Sequence, residues 1–164
     1  MALSRVLYVG GGTLGSVTPL LAVQEVLGRE GVEGRWVGTA EGPERVLVES
    51  AGMEFVVLPS AKVRRYFSVQ NVVDGFRFVA GVWRAFRILG AWRPDVVVSA
   101  GSFVAVPVVI AAWLRGVPVH MHQLDLVPGL ANRLSKPFAS SVSVSFPELV
   151  AKFSGSVMTG TPIR

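Results

Sequence analysis

Short apolar and β-branched runs alternate with longer stretches of helical periodicity along the chain. Arg5-Val-Leu-Tyr-Val9 is a near-continuous apolar run and predicts a buried strand, closed by the glycine-rich loop 10–15. Residues 17–29 predict a helix, with Pro19 tolerated in its first turn and Gly31 near its end. Further strands are predicted at 35–37, 54–58, 95–98, 117–121 and 141–144, and a last short one leads into Thr159-Gly-Thr-Pro162. Helices are predicted at 43–51, from about 69 to 92, at 103–114, at 129–135, and once more in the tail. Strands joined by crossover helices make an α/β fold, a Rossmann-like doubly wound parallel sheet, here as one domain spanning 1–164. Runs such as Val96-Val-Val98 suit a sheet covered on both faces.

Composition narrows this further. Half the 164 residues are hydrophobic (51%) and 16% are charged, with mean hydropathy +0.51, which excludes a disordered or tail-like chain. The absence of cysteine excludes a disulfide scaffold, a thiolate metal site and a cysteine nucleophile, and it fits a reducing compartment. Residues 1–15 read as strand and loop rather than as a secretory signal. The most apolar stretch, 96–113, is interrupted by Ser99, Gly101, Ser102 and Pro107 and is not expected to cross a membrane.

The net charge of +5 is concentrated in one place. Residues 54–93 carry Lys62, Arg64, Arg65, Arg77, Arg84, Arg87 and Arg93 against Glu54 and Asp74, and the rest of the chain is balanced. The same segment holds Phe67, Phe76, Phe78, Trp83, Phe86 and Trp92. Basic residues interleaved with large aromatics suit a helix lying on an anionic bilayer surface, with contact expected from Arg64, Arg65, Phe67, Phe76, Arg77, Trp83 and Arg84. The alternative is that the aromatics pack on the sheet. The segment has no nucleic-acid-binding motif, and no nucleic-acid partner is expected.

In sheets of this kind ligands bind beyond the carboxyl ends of the strands. Three loops there carry chemistry. Gly10-Gly-Gly12-Thr13-Leu14-Gly15-Ser16 offers backbone N–H groups and the positive end of the following helix, an anion cradle. It also satisfies G-x-G-x-x-G, but Glu41 falls late for the ribose-binding acid of a dinucleotide site, so an oxidoreductase domain is a lesser alternative. Ala100-Gly101-Ser102-Phe103 permits close ligand approach. His120-Met-His122-Gln123-Leu124-Asp125 places both histidines on one face of a strand, and His122 or Asp125 is a candidate active-site group. No spacing favours a metal, and no P-loop, G-x-S-x-G elbow or H-E-x-x-H is present.

Taken in order, these loops resemble the MurG family of N-acetylglucosaminyltransferases, which complete the lipid-linked peptidoglycan precursor. The family's G-G-G-T-G-G-H-x-x-P-x-L-A is similar to Gly10-Gly-Gly-Thr-Leu-Gly-Ser-Val-Thr-Pro-Leu-Leu-Ala22, and its W-V-G-T matches Trp36-Val-Gly-Thr39. Its R-P-D-V-V-V resembles Arg93–Val98, its H-E-Q-N-A-V-P-G-x-x-N-R resembles the stretch from His122 to Arg133, and its T-G-N-P-V-R resembles Thr159–Arg164.

The resemblance implies the amino-terminal domain of a GT-B glycosyltransferase, peripheral on the cytoplasmic face of the cell membrane. Its implied partners are a polyprenyl-pyrophosphate glycolipid acceptor and UDP-GlcNAc, the latter bound by a carboxyl-terminal domain beyond residue 164 or a partner subunit. No cofactor is implied. Gly12, Thr13, Leu14, Gly15 and Ser16 would hold the acceptor pyrophosphate, helped by Ser102, Phe103 and Asn132. Ser16 stands where the family has a histidine that is a candidate base. His122 and Asp125 are the matched groups able to take a proton. A paralogue that binds membrane without catalysing transfer is the alternative.

Overall fold

Val6, Leu7, Tyr8, Val9, Val97 and Val119 have essentially no solvent contact, which follows from strands that feed alternate side chains into helical layers on both sides. The computed structural model describes residues 3–58 and 70–163, the side chains of 70–74 excepted. The strands are β1 (Arg5–Val9), β2 (Glu33–Gly38), β3 (Glu54–Val57), β4 (Val96–Ser99), β5 (Val119–Gln123), β6 (Ser141–Val144) and β7 (Val157–Met158). The helices are α1 (Thr18–Arg29), α2 (Glu44–Ser50), α3 (Gln70–Trp92), α4 (Ala105–Leu114), α5 (Leu130–Ser135) and α6 (Pro147–Val150). One sheet forms in the order β3-β2-β1-β4-β5-β6-β7, and every ladder is parallel. The strand order reverses at β1, so the β1/β4 boundary is the topological switch point.

One layer packs Leu7, Val9, Val97 and Val119 under α3 and α4, through Ala85, Leu89, Val108 and Ala112. The other packs Val6, Tyr8, Trp36 and Val98 against Val17, Leu20 and Leu21 at the start of α1. Because seven of its ten residues are buried, α4 is the central helix of the first layer. Among the described residues, no helix is long and apolar enough to cross a membrane.

Several boundaries differ from the sequence expectation by one or two residues, and for two elements the cause is plain. The strand expected at 117–121 runs from Val119 to Gln123. Val117 instead returns its N–H to Ala112 O at the end of α4, and Pro118 has no N–H to donate. The strand extends two residues further because His122 and Gln123 pair with Ser143 and Val144. The helix expected from residue 103 begins at Ala105, after a turn in which Ala105 N–H donates to Ser102 O.

Candidate functional site

Strand alternation and the loops it feeds build a cleft of about 660 Å³ over the switch point. Its walls are Thr13, Gly15, Ser16, Thr18 and Pro19 from the β1–α1 connection and Ala100 and Gly101 after β4. Leu124 and Asp125 after β5 and Thr161, Pro162 and Ile163 of the tail complete it. Helix α1 starts at this wall with Pro19 in its first turn, so its orphan N–H groups and positive dipole end lie at the cleft. Ser16 is 5% exposed, lines the cleft, and its Oγ has no hydrogen-bond partner. A buried hydroxyl without a partner at the start of a helix is an unsatisfied donor, an exception among buried polar groups.

The glycine loop is held from three sides. Trp36, stacked on Tyr8 at 6.0 Å, donates from Nε1 to Gly10 O at 2.9 Å. Ser102 Oγ donates to Gly11 O at 2.8 Å. The carboxylate of Glu44, fully buried, accepts from Gly12 N at 3.2 Å, from Thr39 N at 2.9 Å and from the Thr39 hydroxyl. Burial pushes the Glu44 pKa up, but the Thr39 hydroxyl and the amides of Glu44, Thr39 and Gly12 outweigh it, and the carboxyl ends below its ordinary value.

These contacts separate the expected pyrophosphate residues into two groups. Thr13, Gly15 and Ser16 line the cleft, whereas Gly12, Leu14, Ser102, Phe103 and Asn132 are not among its lining residues. The Gly12 amide is already given to Glu44, and Ser102 pins the loop from behind. Leu14 and Phe103 are exposed but do not line the cleft. Asn132 Nδ2 donates to Gln123 Oε1, and Gln123 Nε2 in turn donates to the Asp125 carbonyl, both at 2.6 Å, so Asn132 steadies the turn that carries Asp125. Gly101 adopts φ +91°, and a Cβ there would lie 3.0 Å from the Asn132 amide, which accounts for glycine at this corner.

Of the two groups expected to take a proton, Asp125 faces the cleft and His122 does not. His122 is 4% exposed, with Nδ1 2.7 Å from Ser143 Oγ and Nε2 3.1 Å from Ser145 Oγ. Burial, then the neighbouring His120, lowers its pKa to about 4, so the ring is neutral near pH 7. Glu44 escaped the sequence reading because an acid in the first turn of α2 is already explained by the helix dipole. The signal that could have found it is the pair Gly11 and Gly42, where a Cβ would collide with its carboxylate.

On the expected membrane face, Phe76, Val79 and Trp83 lie on the outer side of α3 and are 75%, 66% and 61% exposed. Arg77 and Arg84 are exposed on the same helix, and the Arg87 guanidinium sits 5.0 Å from the Trp83 ring centroid. Phe86 and Trp92 instead pack into the core. Arg64, Arg65 and Phe67 lie outside the described residues.

Residues 6–144 match the glycosyltransferase family 28 N-terminal domain. The chain is 45% identical to the UDP-N-acetylglucosamine–N-acetylmuramyl-(pentapeptide) pyrophosphoryl-undecaprenol N-acetylglucosamine transferase of Clostridium botulinum strain Langeland, over 99% of this chain and 46% of that protein. The crystal structure of Acinetobacter baumannii MurG superposes with a TM-score of 0.82 at 26% identity, covering 96% of this chain and 45% of that one. UDP-GlcNAc 2-epimerase from Neisseria meningitidis shares the fold, with a TM-score of 0.67 at 13% identity over 96% of this chain and 47% of its own. The chain thus spans about half the length of the curated relatives it matches. It belongs to the glycosyltransferase family 28 N-terminal domains.

Proposed function

We propose that this chain is the acceptor-binding half of an inverting transferase that moves GlcNAc from UDP-GlcNAc to a polyprenyl-pyrophosphate-linked sugar. The observation that carries this is the unpartnered Ser16 hydroxyl, buried in a cleft at the start of α1. The acceptor pyrophosphate would take that hydroxyl and the backbone of Thr13 and Gly15, in the field of the helix end. Asp125, in the same cleft, would draw the proton from the attacking sugar hydroxyl as UDP leaves the anomeric carbon. A second Rossmann-like domain beyond residue 164, or a partner subunit, would supply the donor. The exposed Phe76, Val79 and Trp83, flanked by Arg77 and Arg84, would rest the domain on the anionic cytoplasmic face of the membrane, where the lipid acceptor lies.

The test is GlcNAc transfer by the full-length protein from UDP-GlcNAc to a polyprenyl-pyrophosphate muramyl acceptor. Ser16→Ala should raise KM for the acceptor about tenfold, as befits a lost hydrogen bond to a charged group, and leave KM for UDP-GlcNAc unchanged. An unchanged acceptor KM would remove Ser16 from the site, and a wild-type protein without transfer would refute the activity.

A further inference from the structure

The proposed mechanism leaves two histidines unused, His122 buried and His120 half-buried. In the parallel register of β5 and β6, His120 pairs with Ser141 and His122 with Ser143, so imidazoles and hydroxyls face one another in two rows. Every contact along the rows is a hydrogen bond. Ser141 Oγ lies 2.8 Å from His120 Nδ1, and His120 Nε2 lies 2.9 Å from Ser143 Oγ. Ser143 Oγ lies 2.7 Å from His122 Nδ1, and His122 Nε2 lies 3.1 Å from Ser145 Oγ. Thr161 Oγ1 donates to Ser145 Oγ at 2.9 Å. Thr161 lines the cleft, and Ser141 is exposed at the other end of the row.

We infer that the chain Thr161–Ser145–His122–Ser143–His120–Ser141 conducts a proton between the cleft and the outer end of β5 and β6. Each member both donates and accepts, and neutral imidazole has one nitrogen for each role. A proton reaching Thr161 Oγ1 displaces that hydroxyl's own proton to Ser145, and Ser145 passes its proton to His122 Nε2. His122 releases its Nδ1 proton to Ser143, which passes its own to His120 Nε2. His120 then releases its Nδ1 proton to Ser141 and so to water. Each residue gains one proton as it loses one, each imidazole passing to its other tautomer, and rotation of the hydroxyls with re-exchange of the ring protons resets the row. This rests on the transfer reading above: the proton that Asp125 draws from the acceptor must leave a cleft covered by substrate before the next turnover. The neutral state of both rings near pH 7, favoured by their burial, suits a carrier that holds no standing charge.

Directionality makes the inference testable without activity. Ser143 has one proton, so an unbroken row requires His120 and His122 to share a tautomer. Nitrogen-15 histidine spectra of the full-length protein, assigned through His120→Gln and His122→Gln, should show both rings neutral near pH 7 and in the same tautomer. Opposite tautomers mean a row interrupted at Ser143 and overturn the proposal. In the transfer assay Ser143→Ala should lower kcat about tenfold with both KM values unchanged, and Ser143→Thr, which keeps the hydroxyl, should restore it. An active wild type whose kcat survives Ser143→Ala overturns the relay alone. A wild type with matched tautomers and no transfer overturns the transfer reading, and the relay with it.

Discussion

At the scale of single residues, the site depends on a carboxylate that does not face it. Glu44 collects the Gly12 amide and both donors of Thr39, and no water reaches it. Removing it strands those donors. Glu44→Ala should therefore cost about 3 kcal/mol, since each buried unsatisfied group costs about 1–3 kcal/mol, and urea unfolding at pH 7 measures it. An unchanged midpoint would mean that the loop holds itself. The pH dependence has a defined sign. Because the folded pKa lies below the ordinary 4.5, the Glu44 contribution is present above that pH and lost as pH falls through the lower folded value. Ser16 shows the opposite arrangement, a donor kept without a partner. On the proposed function, held loop and unpartnered hydroxyl together would amount to a site organised before its ligand arrives.

At the scale of elements, the β5/β6 rows carry a pH signature of their own. Burial depresses both histidines from 6.5, and His122 reaches about 4, whereas in the unfolded chain both titrate near 6.5. Their stability contribution is thus complete above pH 6.5 and declines as pH falls toward 4, a window that opens well above that of Glu44. Thermal melts between pH 6.5 and 4 should show the loss, and a His120→Gln/His122→Gln variant should flatten it. A wild-type melting temperature indifferent to pH in that interval would refute it. The element order was legible in the sequence because crossover helices and apolar strands leave strong, separate periodicities. The shared face of His120 and His122 was legible for the same reason, strand alternation. Their partners were not. Ser141, Ser143 and Ser145 also alternate, but which serine meets which histidine is set by register between two strands, which is decided by packing across the whole sheet. Likewise the glycine loop suggested an anion cradle from sequence, while the diversion of its Gly12 amide to α2 required the tertiary contact.

At the scale of the whole molecule, one side of α3 buries Ala85, Leu89 and Trp92 while the other leaves Phe76, Val79 and Trp83 in water. That exposed face, edged with arginine, yields a direct expectation for the membrane reading. Arg77→Glu/Arg84→Glu should weaken sedimentation with anionic vesicles by about thirtyfold or more, counting about 1 kcal/mol for each basic residue lost at the surface. Equal binding by the variant would move the contact elsewhere. The sheet order has a further consequence, for how the chain comes into being. β1 is the hub of the molecule: Val6 pairs on one side with Gly34 and on the other with Val96. On the ribosome β1 and β2 can meet soon after both have emerged, but the second edge of β1 must wait for β4. Through that interval the nascent chain carries an apolar strand with an unsatisfied edge, the state in which association with a neighbouring chain competes with folding. The time of greatest vulnerability is therefore set by how long synthesis takes to travel from β2 to β4.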